Sequence, residues 1–192
     1  MDAFLLSTAV IFVAELGDKS QLMAMTFAAR YRARDVLVGI TVATAIVHLL
    51  SVGLGVAVGA VLADYQGAVA VVAGLSFLGF AVWTLRGDEL TEQESERARR
   101  STGAAVLAVG TAFFLAELGD KTMLATVTLA TREGWFGTWV GSTLGMVLAD
   151  ALAIAVGALL GRTLPERAVR YGAATLFALF GLVLIAEGLG WL

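Results

Sequence analysis

Cysteine is absent from the 192 residues, and proline and histidine occur once each. Without cysteine there is no disulfide, no thiolate metal site and no dithiol redox pair. Charged residues make up only 15% of the sequence, against 59% hydrophobic residues. A soluble domain of this length would expose far more charge, so the composition predicts an integral membrane protein in a lipid bilayer. No basic patch with interleaved aromatic residues is present, so we expect no nucleic-acid partner.

Long apolar runs predict an all-α integral membrane protein with six transmembrane helices, since about 20 apolar residues cross a bilayer. The predicted spans are 3–29, 35–62, 67–86, 104–131, 136–160 and 168–190. A charged segment, 87–103, separates a first group of three spans (1–86) from a second (104–192). The apolar run that begins at Ala3 predicts a retained first helix, not a cleaved signal.

Arginine is distributed unevenly between the two sides of a six-span chain. The first, third and fifth loops carry ten arginines and the opposite side carries only Arg132. The ten are Arg30, Arg32, Arg34, Arg86, Arg97, Arg99, Arg100, Arg162, Arg167 and Arg170. Since cytoplasmic loops are enriched in basic residues, we expect both termini outside and the 87–103 linker in the cytoplasm.

One motif occurs twice: AELGDKS over residues 14–20 returns as AELGDKT over residues 116–122. The same shift of 102 positions aligns Thr41 with Thr143 and Gly55 with Gly157. Three spans per half is an odd number, so the second half enters the membrane upside down. Inverted three-helix repeats of this kind build secondary transporters, whose site forms where the halves meet.

Ionisable groups at membrane depth are costly and usually functional. We predict four metal ligands in the doubled motif: Glu15, Asp18, Glu117 and Asp120. On a continuous helix the glutamate and aspartate of each motif share a face, and Lys19 can pair with Glu15 one turn away. Lys19 and Lys121 are the only lysines of the chain, and we assign them to charge balance. Four carboxylates and two lysines leave two negative charges, so one divalent cation or two protons would neutralise the site, and metal and protons compete for the same oxygens.

Other polar residues are candidates with open alternatives. Gly17 and Gly119 permit either close helix packing or a local break. Additional candidate ligands are Gln21, Ser20, Thr122, Met25 and Met123. For the two hydroxyls, a bond to a backbone carbonyl is an equal alternative, because helical geometry points them away from the glutamate. The 102-residue shift also aligns His48 with Asp150. These two residues are candidates for a proton relay, for support of the ligands, or for a polar pair that joins helices.

The candidate ligands are oxygen donors, and the chain has no cysteine and only one histidine. This set of ligands favours Ca²⁺, Mn²⁺ or Mg²⁺ over zinc or copper. No catalytic motif is present, so we expect a transporter without a cofactor, and not an enzyme. A passive cation channel and an exporter of another small solute stay open as alternatives. Small residues on the predicted helix surfaces permit a homodimer without requiring one.

The two motifs fit the pattern Glu-x-Gly-Asp-Lys-Ser/Thr on the first and fourth of six spans. In this the chain resembles the uncharacterised protein family 0016, whose members are similar to the Golgi transmembrane protein 165. The resemblance implies exchange of Mn²⁺ and Ca²⁺ for protons, with Glu15, Asp18, Glu117 and Asp120 as ligands. The lack of an extra N-terminal targeting segment fits a bacterial plasma (inner) membrane member of that family. From a typical inward proton gradient we expect it to export metal against incoming protons.

Overall fold

The computed structural model describes residues 2–86, 91–93, 96, 104–160 and 166–192. Within these ranges the chain is all-helical, with no strand and eight α-helices. The helices are α1 (Ala3–Glu15), α2 (Lys19–Ala28), α3 (Ala33–Val61), α4 (Gln66–Arg86), α5 (Ala105–Glu117), α6 (Lys121–Ala130), α7 (Trp135–Leu160) and α8 (Glu166–Gly188). A short 3₁₀ turn, Ala63–Tyr65, joins α3 to α4. Most of the predicted 87–103 linker lies outside the described residues.

Both copies of the motif interrupt a helix. The first helix ends at Glu15 and the next begins at Lys19, and the same break separates Glu117 from Lys121. Within each break a glycine takes a left-handed backbone, with φ of 74° at Gly17 and 82° at Gly119, which glycine adopts without strain. The prediction of continuous helices over 3–29 and 104–131 is therefore wrong, and the alternative of a local break is confirmed.

Among the described residues, four helices are long and apolar enough to cross a membrane: Ala33–Val61, Ala63–Arg86, Trp135–Leu159 and Arg170–Gly188. The helices α1 and α5 are apolar but have only 13 residues each. Each is followed by a ten-residue helix, α2 or α6, after the break. The first and fourth predicted spans thus consist of two short helices each.

The two halves of the chain pack into each other. Helix α1 packs against α7 and α3 packs against α5, while α4 pairs with α8. Where α3 meets α7, the Thr44 hydroxyl donates to Met146 Sδ at 3.2 Å, and both residues are fully buried. Because every one of these contacts joins one half to the other, the core belongs to both halves together.

Glycines allow the closest of these approaches. A Cβ placed on Gly39 of α3 would lie 2.9 Å from the Val106 carbonyl oxygen of α5. A Cβ on Gly74 of α4 would lie 2.5 Å from the Gly181 carbonyl oxygen of α8. Any larger residue would push these helices apart, so small residues set the helix spacing, as they do in membrane bundles.

Candidate metal centre

The two helix breaks bring the motif acids together in the interior. Glu15, Asp18, Glu117 and Asp120 are all buried. One carboxylate oxygen from each of Glu15, Asp18 and Asp120 lies within 4.8 Å of the others. Glu117 is outside this group of three but close enough to interact electrostatically with each of its members. The acids of the first motif therefore meet those of the second in one cluster.

Two lysines cross between the halves to reach these acids. Lys121 Nζ lies 2.6 Å from Asp18 Oδ1, and Lys19 Nζ lies 3.7 Å from Asp120 Oδ1. The prediction that Lys19 shares a helical turn with Glu15 is wrong, because α1 ends at Glu15 and Lys19 begins the next helix. The sequence did carry a signal for the symmetry of this pairing. The 102-residue repeat makes the pair of Lys121 with Asp18 equivalent to the pair of Lys19 with Asp120.

The motif hydroxyls contact the glutamates. Ser20 Oγ donates to Glu15 Oε2 across the first break, and Thr122 Oγ1 donates to Glu117 Oε2 at 3.1 Å across the second. On an unbroken helix these side chains would point away from the glutamate. The left-handed glycine turns the chain between them, so the sequence-based orientation is wrong for both hydroxyls. Each glutamate is thereby held by the first turn of the following helix.

Gln21 makes two hydrogen bonds to backbone. Its amide oxygen accepts from the Gly17 N–H at 2.8 Å, and its amide nitrogen donates to the Ala149 carbonyl oxygen at 2.8 Å. In the second half the Gly119 N–H donates to Met123 Sδ at 3.1 Å. Both residues thus cap the break of their own motif. Nothing in the sequence pointed to Ala149, which contributes only its carbonyl group.

His48 and Asp150 are both fully buried, on α3 and α7. In the part of the chain that the structure describes, His48 Nδ1 and both Asp150 carboxylate oxygens have no hydrogen-bond partner. Asp150 lies within electrostatic range of Glu15 and Glu117. The structure therefore places Asp150 beside the acid cluster.

The cluster has an excess of negative charge and of hard oxygen donors. Glu15 Oε1 and Glu117 Oε1 are buried and have no hydrogen-bond partner among the described residues. A buried, uncompensated carboxylate is costly, and a bound cation or a proton would offset that cost. Carboxylate and hydroxyl oxygens are the ligands that Ca²⁺, Mg²⁺ and Mn²⁺ prefer. The arrangement can therefore hold either a divalent cation or protons.

The family model described as "Divalent cation/proton antiporter GDT1" matches residues 3–92 and 105–191. A "Putative manganese exporter" of Vibrio cholerae is 38% identical over 135 residues, which cover 69% of this chain and 64% of that protein. The chloroplastic GDT1-like protein 2 of rice is 31% identical over 198 residues, covering 89% of this chain and 57% of the rice protein. A GDT1-like protein of Synechocystis is 29% identical over 198 residues, covering 95% of this chain and 96% of that protein.

The chain thus spans 64% and 57% of the lengths of the Vibrio and rice relatives, but nearly the whole of the Synechocystis relative. No solved structure matches the chain.

Proposed function

The chain belongs to the divalent cation/proton antiporter GDT1 family, and we propose that it exchanges Mn²⁺ or Ca²⁺ for protons across a membrane. The observation that carries this proposal is the buried acid group of Glu15, Asp18 and Asp120, drawn from both motifs. It offers oxygen donors with an unbalanced negative charge at the meeting point of two helix breaks. A divalent cation and two protons satisfy that charge equally, and this equivalence is the basis of exchange.

We propose further that the chain forms two inverted three-helix repeats, 1–86 and 104–192, with six spans in all. Reciprocal contacts support this arrangement. Lys121 with Asp18 is the repeat equivalent of Lys19 with Asp120. Helix α1 on α7 is the equivalent of α3 on α5. Contacts that recur after exchange of the halves are those expected of a pseudo-two-fold axis.

In this proposal the four motif acids bind the cation, and each remaining polar group has a supporting role. Lys19 and Lys121 balance charge between the halves, while Ser20 and Thr122 orient the glutamates. Asp150 serves as a proton relay. Its carboxylate oxygens are buried without a hydrogen-bond partner among the described residues, and its carboxyl group interacts electrostatically with Glu15 of the cluster. His48, the repeat equivalent of Asp150, is buried on α3, and we assign it the same role of proton relay.

The proposed direction is export of metal from the cytoplasm, driven by protons that enter down their gradient. The ten arginines on one side support an inner-membrane orientation with both termini outside and the linker in the cytoplasm. The name of the Vibrio relative, "Putative manganese exporter", agrees with export and with manganese. Calcium is proposed on the chemistry of the oxygen donors alone.

The experiment is metal flux into proteoliposomes that contain a Mn²⁺- or Ca²⁺-sensitive dye, with a pH gradient imposed or collapsed. Wild type is compared with Glu15→Gln and Glu117→Gln, and Asp64→Asn in the exposed 3₁₀ turn is the matched control. We expect gradient-dependent flux in wild type and control, and none in the two glutamine variants. Flux that ignores the gradient would indicate a channel, and full flux in both variants would refute the site. Absence of metal flux in wild type would favour an exporter of another solute.

A further inference from the structure

Gln21 joins the first helix break to a neighbouring helix, a contact that its repeat equivalent cannot make. We propose that Gln21 is a positioning residue: it fixes the first break against α7 and so sets the cation affinity of the first half of the site. The inference rests on the proposed function above, since it assigns a role in that same site. It replaces the sequence-based prediction of Gln21 as a ligand.

One end of the Gln21 side chain caps the break. Because α1 ends at Glu15, the Gly17 N–H lies outside a regular helix. It is partly buried, so it needs an acceptor to replace part of its lost hydration. Gln21 is the third residue of α2, and its amide oxygen reaches back to that N–H at 2.8 Å. In a capping box, a glutamine at this position accepts from the N–H of the N-cap residue; here Gln21 reaches one residue further back, past Asp18 to Gly17. The bond therefore holds the short segment that connects Glu15 to Asp18.

The other end of the side chain fixes the break to α7. The Gln21 amide nitrogen donates to the Ala149 carbonyl oxygen at 2.8 Å, and both residues are buried. A carbonyl oxygen has two lone pairs, so Ala149 can accept this bond and a helical bond together. Ala149 immediately precedes Asp150. The first break and the helix that carries Asp150 are consequently held in one fixed register.

The second half of the site lacks this connection. Its equivalent residue, Met123, accepts from the Gly119 N–H through sulfur at 3.1 Å. A thioether has no hydrogen to donate, so Met123 cannot form the second bond. The acid group reflects the difference, since it contains both acids of the first motif and only Asp120 of the second. We therefore infer that the first half of the site is the better organised of the two for cation binding.

The repeat supplies a matched pair of variants to test this. Gln21→Met gives the first break the cap of the second, and Met123→Gln gives the second break the cap of the first. For each we would measure the KM and maximal rate of Mn²⁺ flux in proteoliposomes, and Mn²⁺ binding in detergent by calorimetry. Hydrogen exchange resolved to single amides would report on Gly17.

We expect Gln21→Met to raise the KM and the Kd for Mn²⁺ about tenfold, the range seen when a group that orients a metal ligand is lost. The maximal rate should change by less than about twofold, since the ligands themselves remain. Exchange at the Gly17 amide should become faster in Gln21→Met than in wild type. Met123→Gln should not raise the KM or the Kd, because the glutamine amide can replace the sulfur as acceptor for the Gly119 N–H.

A Gln21→Met protein with unchanged Kd and unchanged Gly17 exchange would overturn the proposal. So would an unchanged KM with a lost maximal rate, which would make Gln21 part of the transport step itself. If Gln21→Met does not fold, Gln21→Asn keeps a neutral amide, but its side chain is one methylene shorter and cannot reach both Gly17 and Ala149. That variant should bind Mn²⁺ more weakly than wild type, and an unchanged Kd with unchanged Gly17 exchange would overturn the proposal. Should wild type move no metal, the proposed function fails, and Gly17 exchange still tests the bond.

Discussion

Lys121 Nζ lies 2.6 Å from Asp18 Oδ1, so the lysine of the second motif contacts the aspartate of the first. The equivalent contact, from Lys19 to Asp120, is longer at 3.7 Å. Both lysines begin a helix that follows a break, and both reach across to the opposite half. The two halves of the site are therefore joined by the groups that balance its charge. Each of the two contacts thus joins a lysine of one motif copy to an aspartate of the other.

The two lysines should differ in their contribution to stability. Lys121 and Asp18 are almost fully buried, with side chains 5% and 0% exposed, whereas the Lys19 side chain is 15% exposed. Breaking a buried ion pair from one side typically costs about 3–5 kcal/mol, because a buried charge loses its partner. We expect Lys121→Ala to lower the free energy of unfolding by an amount in that range, and Lys19→Ala to lower it by less. Denaturation of the purified protein in detergent measures both, and an equal or larger loss in Lys19→Ala would contradict the account.

The hydroxyl groups should matter for cation affinity. Ser20 donates to Glu15, and the second motif has threonine at the equivalent position, so Ser20→Thr keeps the donor. We expect Ser20→Ala to weaken apparent Mn²⁺ affinity by about tenfold or more, because Glu15 loses the group that orients it. Ser20→Thr should stay close to wild type. Mn²⁺ titration of transport and binding tests the pair, and a Ser20→Ala protein that behaves as Ser20→Thr would show that the bond has no such role.

Two repeat-equivalent glycines should tolerate substitution differently. A Cβ on Gly55 of α3 would overlap the Val127 carbonyl oxygen and lie 2.7 Å from Ala130 Cβ, whereas a Cβ on Gly157 of α7 would meet only the flexible end of Met25. Forcing backbone apart typically costs about 1–3 kcal/mol. We therefore expect Gly55→Ala to lower the free energy of unfolding by that amount, and Gly157→Ala to be nearly neutral. The thermal midpoint of each variant in detergent tests this prediction. A Gly157→Ala variant as unstable as Gly55→Ala would refute the predicted difference between the two glycines.

The proposed orientation can be tested cleanly, because the chain has no cysteine of its own. Asp64→Cys places a thiol in the turn between α3 and α4, and Glu92→Cys places one in the linker; both positions are exposed. We expect a membrane-impermeant maleimide to label Asp64→Cys in intact cells. Glu92→Cys should be labelled only after the membrane is permeabilised. The reverse pattern would place both termini in the cytoplasm and reverse the proposed direction of transport.

The sequence predicted that the motif acids lie together in the interior, because the signals for this were chemical ones. Carboxylates that lie within apolar runs and recur at one spacing indicate a buried cluster. This inference does not depend on whether the local backbone is a continuous or a broken helix. The burial of Glu15, Asp18, Glu117 and Asp120 agrees with that expectation. The all-helical fold of the described residues followed equally directly from the apolar runs.

The helix breaks could not be predicted with the same certainty. A break of three residues within an apolar run leaves hydrophobic periodicity almost unchanged, and glycine is common in continuous membrane helices as well. The positive φ at Gly17 and Gly119 appears only in the structure. Once that turn is missed, every helical-face argument beyond it fails. For this reason the helical turn shared by Glu15 and Lys19 and the orientation of Ser20 were wrongly predicted. The Ala149 carbonyl had no sequence signal, since any residue supplies one.

The most direct test of the central claim is proton movement driven by the metal alone. Proteoliposomes would contain a pH-sensitive dye, with no initial pH gradient and with the membrane potential clamped by potassium and valinomycin. When Mn²⁺ is added outside, we predict that the interior becomes alkaline in wild type, because protons leave as metal enters, and that Glu15→Gln shows no change. Entry of Mn²⁺ into wild-type vesicles without any change of internal pH would contradict exchange at a site shared by metal and protons.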